Sequence, residues 1–392
     1  MTLSKVAAEV LASTVAGWFR NFGGTSALDV ARDLSLDHAL IMQTFEQLET
    51  TGYGSLNRDV QLFQVSFDLE NIAAGFKHEP ISTHIFFPSA QALHEAFYSS
   101  DLSRQRLPEY TTRLHLGAHQ IGLVYFDEEV LARYLDHPEL YEINDSLAGG
   151  DISALSRAPE ERYLYVRYGK CQLKSRSIAV TAIYKDLSDM GQSEQSYWHS
   201  YELESPDIDM SDIHFQNFLA RTYEGDFVDF EDPISRLLEA VGEVNKIFAP
   251  RTLFAKLDNV HLRLPVEQTY KSYCDAASEL YKIVGPDNIS QTLLKDLLSS
   301  NFAVSLDGLK HVESERPLST VQLLALLEGK LATPGLITKL LRTLSELRIA
   351  ADHKVLEAES ATKSYSREFA EMCDQFAQAV EQLAKLLEGC EK

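Results

Sequence analysis

Basic residues are scarce in this chain. Its 392 residues include 36 Lys and Arg against 58 Asp and Glu, a formal charge of −22. Generic attachment to nucleic acid comes from Lys and Arg neutralising phosphates, and a similar attraction draws proteins to anionic membranes. An acidic chain is excluded from both roles except where its cations concentrate. Cysteine is scarce too. Cys171, Cys274, Cys373 and Cys390 are scattered, and no two form a CxxC pair. That rules out a zinc-knuckle spacing and reads as reduced thiols in a cytosolic protein. No apolar run of about 18 residues occurs, so no membrane-spanning helix is expected. The opening MTLSKVAAEV lacks the apolar core of a signal peptide. A cytoplasmic location follows by elimination. Also missing are GxxxxGK[ST], a GxGxxG after a strand, and a GxSxG elbow. Common enzyme classes are disfavoured, and no cofactor is expected.

What is present is ordinary globular composition, 45% hydrophobic and 24% charged, in a chain long enough for two to four domains. The expected fold class is multi-domain α+β: a winged helix-turn-helix over residues 1–80, an α+β domain with an antiparallel sheet over 81–205, and a helical bundle over 206–392. In the first segment Val6, Val10, Leu11, Val15, Trp18 and Phe22 recur at helical spacing, and Gly23-Gly24 should stop that helix. Ser26 is the natural cap of ALDVARDL, and Ser35 that of LDHALIMQTFEQLE. YGSLN and VQLFQVSF then read as two strands turning at Arg58-Asp59, the wing. Residues 81–110 are mixed, and TTRLHLGAHQIGLVYF reads as a long β-type run. A helix is expected from Glu128 to Leu135, then a loop through NDSLAGGDIS. YLYVRYG and SIAVTAIY follow as strands rich in the residues that pleated surfaces favour. After Pro206 the pattern is helical, with Thr333-Pro334 as a helix start. In the last helix Phe369, Phe376 and Leu383 lie seven apart, with Cys373, Val380 and Leu387 between them. Such a seam suits helix pairing and a homodimer or protein partner.

The charge is uneven. From Tyr201 to Asn245 there are twelve acids and two bases. From Arg162 to Lys185 there are six bases (Arg162, Arg167, Lys170, Lys174, Arg176, Lys185) and no acid. On a strand, Tyr163, Tyr165 and Arg167 share a face. Together with Lys170, Lys174 and Arg176 they form a candidate nucleic-acid surface, on which bases would stack and cations would track phosphates. The competing reading is that these cations meet the acidic 201–245 segment. A DNA role for the winged helix is disfavoured, because its recognition helix carries Asp37, Glu46 and Glu49 and no base. His115 and His119 are spaced HxxxH, but Leu116 breaks the HExxH pattern, and strand-like surroundings would hold them about 13 Å apart. Asp226, Asp229, Glu231 and Asp232 lack calcium-loop spacing, so no metal is expected. The cluster Tyr197, Trp198, Tyr201 with His199 reads as rings anchoring a loop to a sheet.

Near the C-terminus, LLRTLSELRIAADHKVLEAE separates Arg348 from His353 by four residues. This resembles the R-x4–6-H motif of HEPN-type helical domains. The resemblance implies a helical bundle and, in that family's ribonucleases, metal-free RNA cleavage, usually across a dimer. Arg348 would then stabilise phosphorane charge and His353 would act as acid or base. Ile349 stands where that family usually has a polar residue. Read from the residues alone, Arg348 pairs with Asp352 at i,i+4. Five residues also set Arg348 and His353 about 140° apart around one helix. A wider stretch, VYFDEEVLARYLDHPELYEI through YLYVRYGK to KDLSDMGQSEQSYWHSYEL, is similar to a group of uncharacterised bacterial proteins.

Three functions are therefore carried forward. The first is a cytoplasmic bacterial interaction, scaffold or regulatory protein, as in a stress or anti-phage defence system. The second is a HEPN-type ribonuclease using Arg348 and His353. The third is a winged-helix DNA-binding regulator.

Overall fold

The computed structural model describes residues 3–67, 76–226, 232–255, 262–266, 269–305, 309–310, 316–353 and 364–388. It is mixed α+β, with fifteen helices and two antiparallel sheets among the described residues and a helical C-terminal region. None of these helices is long and apolar enough to cross a membrane. Two compact units emerge. One is Met1–Val124, Ser153–Arg167 and Ala182–Glu202; the other is Tyr125–Ile152, Tyr168–Thr181 and Leu203–Lys392.

In the first unit, α1 (Lys5–Asn21) starts where the Ser4 hydroxyl accepts from the Ala7 amide at 3.1 Å. It ends when Phe22, not a glycine, takes the left-handed cap with φ 53°. β1 (Thr25–Ser26) leads into α2 (Ala27–Leu34), which Ser26 caps as anticipated. The cap of α3 (His38–Thr50) is Asp37 rather than Ser35. A carboxylate there satisfies two amides and complements the positive helix end. Ser35 instead closes α2 in the left-handed region.

The expected turn at Arg58-Asp59 is a bulge inside one strand. β2 (Gly54–Phe67) pairs antiparallel with β3 (Phe76–Pro88), and the register shifts between Asn57 and Val60. Asp59 has φ 54°, which is the signal that mimicked a turn. Its amide donates to His84 Nδ1 at 3.3 Å, keeping the chain in the ladder. The sheet order is β1-β3-β2. The expected boundary after residue 80 thus falls inside β3. Val10, Val30, Ile41 and Leu48 are fully buried beside Phe45 and Phe86, whose rings stack at 5.0 Å.

α4 (Ala90–Ser99) follows, then α5 (Glu109–His115), which corrects the long β-type run. Pro108 presets the helix start, and Arg113 bonds Glu109 at i,i+4, 2.9 Å apart. α7 (Tyr184–Ser188) and α8 (Gln192–Ser200) also belong to this unit.

The second sheet runs β4 (Leu123–Asp127), β8 (Ile178–Ile183), β7 (Tyr165–Gln172), β6 (Gly149–Ala154), β5 (Tyr141–Asp145). A short helical turn at Glu128–Leu131 and α6 (Ala132–Leu135) fill the span expected to be helical. NDSLAGGDIS is not a loop. It is a hairpin whose Ser146 and Gly149 bond reciprocally, and Gly149 has φ 130°. A Cβ on Gly149 would lie 2.1 Å from the Tyr168 carbonyl, so only glycine lets β6 approach β7 this closely.

The helical region holds α9 (Ile213–Leu219), α10 (Pro233–Ile247), α11 (Tyr270–Val284), α12 (Gln291–Ser300), α13 (Thr320–Lys330), α14 (Thr338–His353) and α15 (Tyr365–Glu388). Helix α14 begins four residues beyond Pro334. The buried Glu328 carboxylate of α13 accepts from the amides of Gly335, Ile337 and Thr338 and from the Thr338 hydroxyl. The seam of α15 is the largest correction. Phe369, Cys373, Phe376, Val380, Leu383 and Leu387 are all buried in this bundle's own core, with Leu237, Val241 and Val244 of α10. Those residues face no solvent in the single chain, so the heptad spacing here marks intramolecular packing.

Candidate functional site

Along residues 163–167 the expected alternation appears. Tyr163 is 60% exposed, Tyr165 51%, and the Arg167 side chain 61%, while Leu164 and Val166 are buried. A strand with one wet face demands this pattern. Arg167 is not a bare cation: its amide and guanidinium both face Asp186, at 3.2 and 3.7 Å. Burial pushes the Asp186 carboxyl up, against the pull of Arg167.

Alternation stops at Tyr168. From there to Cys171 every residue is buried. Lys170, expected on the nucleic-acid surface, points inward instead. Its Nζ lies 2.8 Å from Asp145 and 3.4 Å from Glu128. The Tyr168 hydroxyl donates to the Asp145 carboxylate at 2.7 Å, and the Ser366 hydroxyl reaches Glu128 at 3.4 Å. Burial works against the ammonium, but the two carboxylates hold it above the usual Lys range. Burial pushes Glu128 up to about 7, although Lys170 pulls it down. One ammonium faces two carboxylates, and the nearer Asp145 takes most of the charge pairing. An ammonium so enclosed cannot meet a phosphate, which removes Lys170 from any polyanion surface.

Lys174 is exposed and paired with Asp207 at 2.7 Å, a cation meeting the acidic segment as the competing reading anticipated. Arg176 is exposed in the turn between β7 and β8, with φ 73°. Lys185 pairs with Asp189. Four of the six clustered cations therefore have carboxylate partners within the chain.

Arg348 and His353 both lie on α14. The exposed Arg348 guanidinium sits 4.7 Å from the centre of the Tyr281 ring of α11, a cation–π contact. His353 is the last residue of α14, and its side chain lies outside the described residues, as does that of Asp352. His115 is a core histidine. Its ring lies 4.9–5.8 Å from the rings of Phe19, Phe22 and Phe97, and Nδ1 is 2.7 Å from the Thr111 carbonyl. Asp232 caps α10, while Asp229 and Glu231 lie outside the described residues. No group of three His, Cys, Asp or Glu residues suited to a metal occurs among the described residues.

Two polar clusters were not visible in the sequence. One is the Lys170–Asp145–Glu128 network. The other surrounds Glu202, whose carboxylate accepts from Arg113 at 2.6 Å and Tyr110 at 3.2 Å and faces His199 Nδ1 at 2.9 Å. Burial opposes the charge on Glu202, yet Arg113 and His199 hold its carboxyl below the usual range. Trp198 is fully buried, and Tyr197 and Tyr201 meet edge to face at 5.1 Å. The cluster expected to anchor a loop to a sheet lies instead on and just after helix α8, with Trp198 as its buried ring and Glu202 as its polar end. Glu202 and Arg113 lie 89 residues apart, so no local motif announces them. No protein-family model, curated protein or solved structure matches this chain.

Proposed function

We propose that this chain is a cytoplasmic interaction protein, a scaffold or regulatory subunit. It would hold a protein partner through the exposed face of Tyr163, Tyr165 and Arg167. The carrying observation is that Tyr163, in the extended residues just before β7, and Tyr165 and Arg167 at its start alternate outward and are each more than half exposed, while Arg167, Lys174 and Lys185 are engaged by the chain's own carboxylates. Tyr and Arg are, with Trp, enriched at protein-binding hot spots, and exposed apolar patches mark such surfaces. A polyanion surface would need unneutralised cations, which argues for protein rather than RNA.

The arrangement of α1, α2 and α3 with β1, β3 and β2 is read as a winged helix-turn-helix. Its α3 offers Leu40, Gln43, Glu46 and Gln47 outward, with a carboxylate and no cation. That supports a protein-facing use over DNA. The ribonuclease reading draws no support from Arg348, whose guanidinium lies on Tyr281. Affinity capture with the wild type and the Tyr163→Ala/Tyr165→Ala double variant, alongside light scattering, tests the proposal. A partner or self-association lost in the variant supports it. A monomer whose captured proteins do not change with the variant refutes it, and RNA retention at physiological salt would replace it.

A further inference from the structure

An open groove of about 450 Å³ runs between α1 and α4. It is lined mainly by apolar side chains, with Tyr53, Ser99 and Ser100 among the polar ones. Leu11, Val15 and Phe19 belong to a packed cluster with Trp18 and Leu93, so this side of the groove is preformed. On α1 the lining repeats Ala8, Ala12 and Ala16, one residue per helical turn and all exposed. Ala92 and Ala96 line it from α4. Ordinary surface helices present long polar side chains at such positions. Here α1 presents methyl groups to water along the lane, and the buried Ala92 and half-buried Ala96 of α4 close its other side.

We infer that this groove takes the apolar face of a cationic amphipathic helix from another protein. The shape argues for a helix. Alanine walls allow the closest interaxial approach, near the low end of the roughly 8–10 Å range for packed helices, and an open lane suits an elongated occupant better than a compact small molecule. The charge argues for a basic one. Glu95 lines the α4 wall and is exposed. Glu9, exposed on α1, faces Lys5 at a loose 3.9 Å. Residues 1–80 hold ten acids against five bases. A partner helix with Lys or Arg beside its apolar stripe gains from that field, and an acidic helix is repelled by it. This surface shares no residue with the Tyr163–Tyr165–Arg167 face, so the two proposals succeed or fail separately.

The test uses the full chain and two fluorescein-labelled helical peptides of about five turns. Both have a leucine and alanine stripe; one is flanked by Lys and the other by Glu. Fluorescence anisotropy should show saturable binding of the Lys peptide and none of the Glu peptide. Ala12→Trp fills the lane from an exposed position and should weaken binding at least about tenfold. Glu95→Lys, also exposed, should weaken it about threefold or more, and less so at high salt. Unchanged thermal melting of both variants separates a blocked groove from a misfolded one. Absent binding of the Lys peptide, equal binding of the Glu peptide, or full affinity in Ala12→Trp would each overturn the inference.

Discussion

The buried ammonium of Lys170 faces two carboxylates, and Glu128→Gln tests how that imbalance is resolved. In the folded chain the Glu128 carboxyl titrates near 7 instead of the ordinary 4.5, because burial disfavours its charge more than Lys170 favours it. Between those values the folded state holds a proton that the unfolded state has released. Stability therefore falls as pH rises through this window. A displacement of that size corresponds to about 3 kcal/mol at full development. The substituted amide cannot ionise, so the variant should lack this loss. It should match the wild type at about pH 4 and below, where Glu128 is protonated in both states, and exceed it at pH 8 by up to about 3 kcal/mol. Lys170 keeps Asp145 at 2.8 Å in the variant, so its charge stays paired.

The readout must report on the right unit. Trp18 and Trp198 both lie in the first unit and Glu128 in the second, so a probe within Glu128's own unit reads the effect most directly. Hydrogen exchange of the amides of residues 168–181, compared between proteins at the same pH, cancels the intrinsic exchange rate. Those amides should exchange about a hundredfold more slowly in Glu128→Gln than in the wild type at pH 8, and equally at about pH 4. A ratio independent of pH would refute the reasoning. A variant less protected than the wild type at pH 8 would show that ionised Glu128 stabilises the fold and that Lys170, not burial, governs it.

Other substitutions probe the same physics elsewhere. Arg367 bonds Asp212 and Gln172 at 2.6 Å each. Arg367→Met leaves the buried Asp212 carboxylate without its cation and should cost about 3–5 kcal/mol in urea unfolding followed by circular dichroism. In the same variant the His214 ring, held below the ordinary His range first by burial and then by Arg367, should titrate higher by NMR. Glu328→Ala removes four bonds that start α14 and should cost about 2–4 kcal/mol, with exchange protection lost first at the amides of Ile337 and Thr338. Lys174→Ala breaks an exposed pair with Asp207 and should leave the urea unfolding midpoint essentially unchanged at low and at high salt.

What could be read from sequence was whatever local pattern decides. Ser26 as a cap, the strands around Val166 and Val180, and the exposed run of Tyr163, Tyr165 and Arg167 all follow from neighbours within a few residues. Errors arose where two local signals compete. Asp59 in the left-handed region serves a turn and a bulge equally, and only the His84 acceptor, 25 residues away, decides between them. Thr111–His115 is β-rich by composition, yet Pro108 and the Glu109–Arg113 pair tip it to helix. The heptads of α15 were real, but spacing does not say whether the complementary helix comes from another copy or from α10.

Lys170 shows why the candidate surface was only half legible. Strand alternation continued from Arg167 would place residues 169 and 171 outward and 168 and 170 inward, so Lys170 inward is what period two dictates. A buried ammonium is costly unless paired, so residue type alone places a lysine outside. The missing information was its partners: Asp145 one strand-pair away in sequence, and Glu128 earlier still in a short helical turn. A lysine is tolerated inside only when the fold brings carboxylates to it. The stronger inference from YVRYGK was therefore a buried acid awaiting that lysine, rather than a phosphate outside. With Lys170 buried and Arg167, Lys174 and Lys185 paired, only Arg162 and Arg176 of the six clustered cations stand exposed with no carboxylate partner among the described residues, and both proposed protein contacts rest instead on tyrosine rings and alanine side chains.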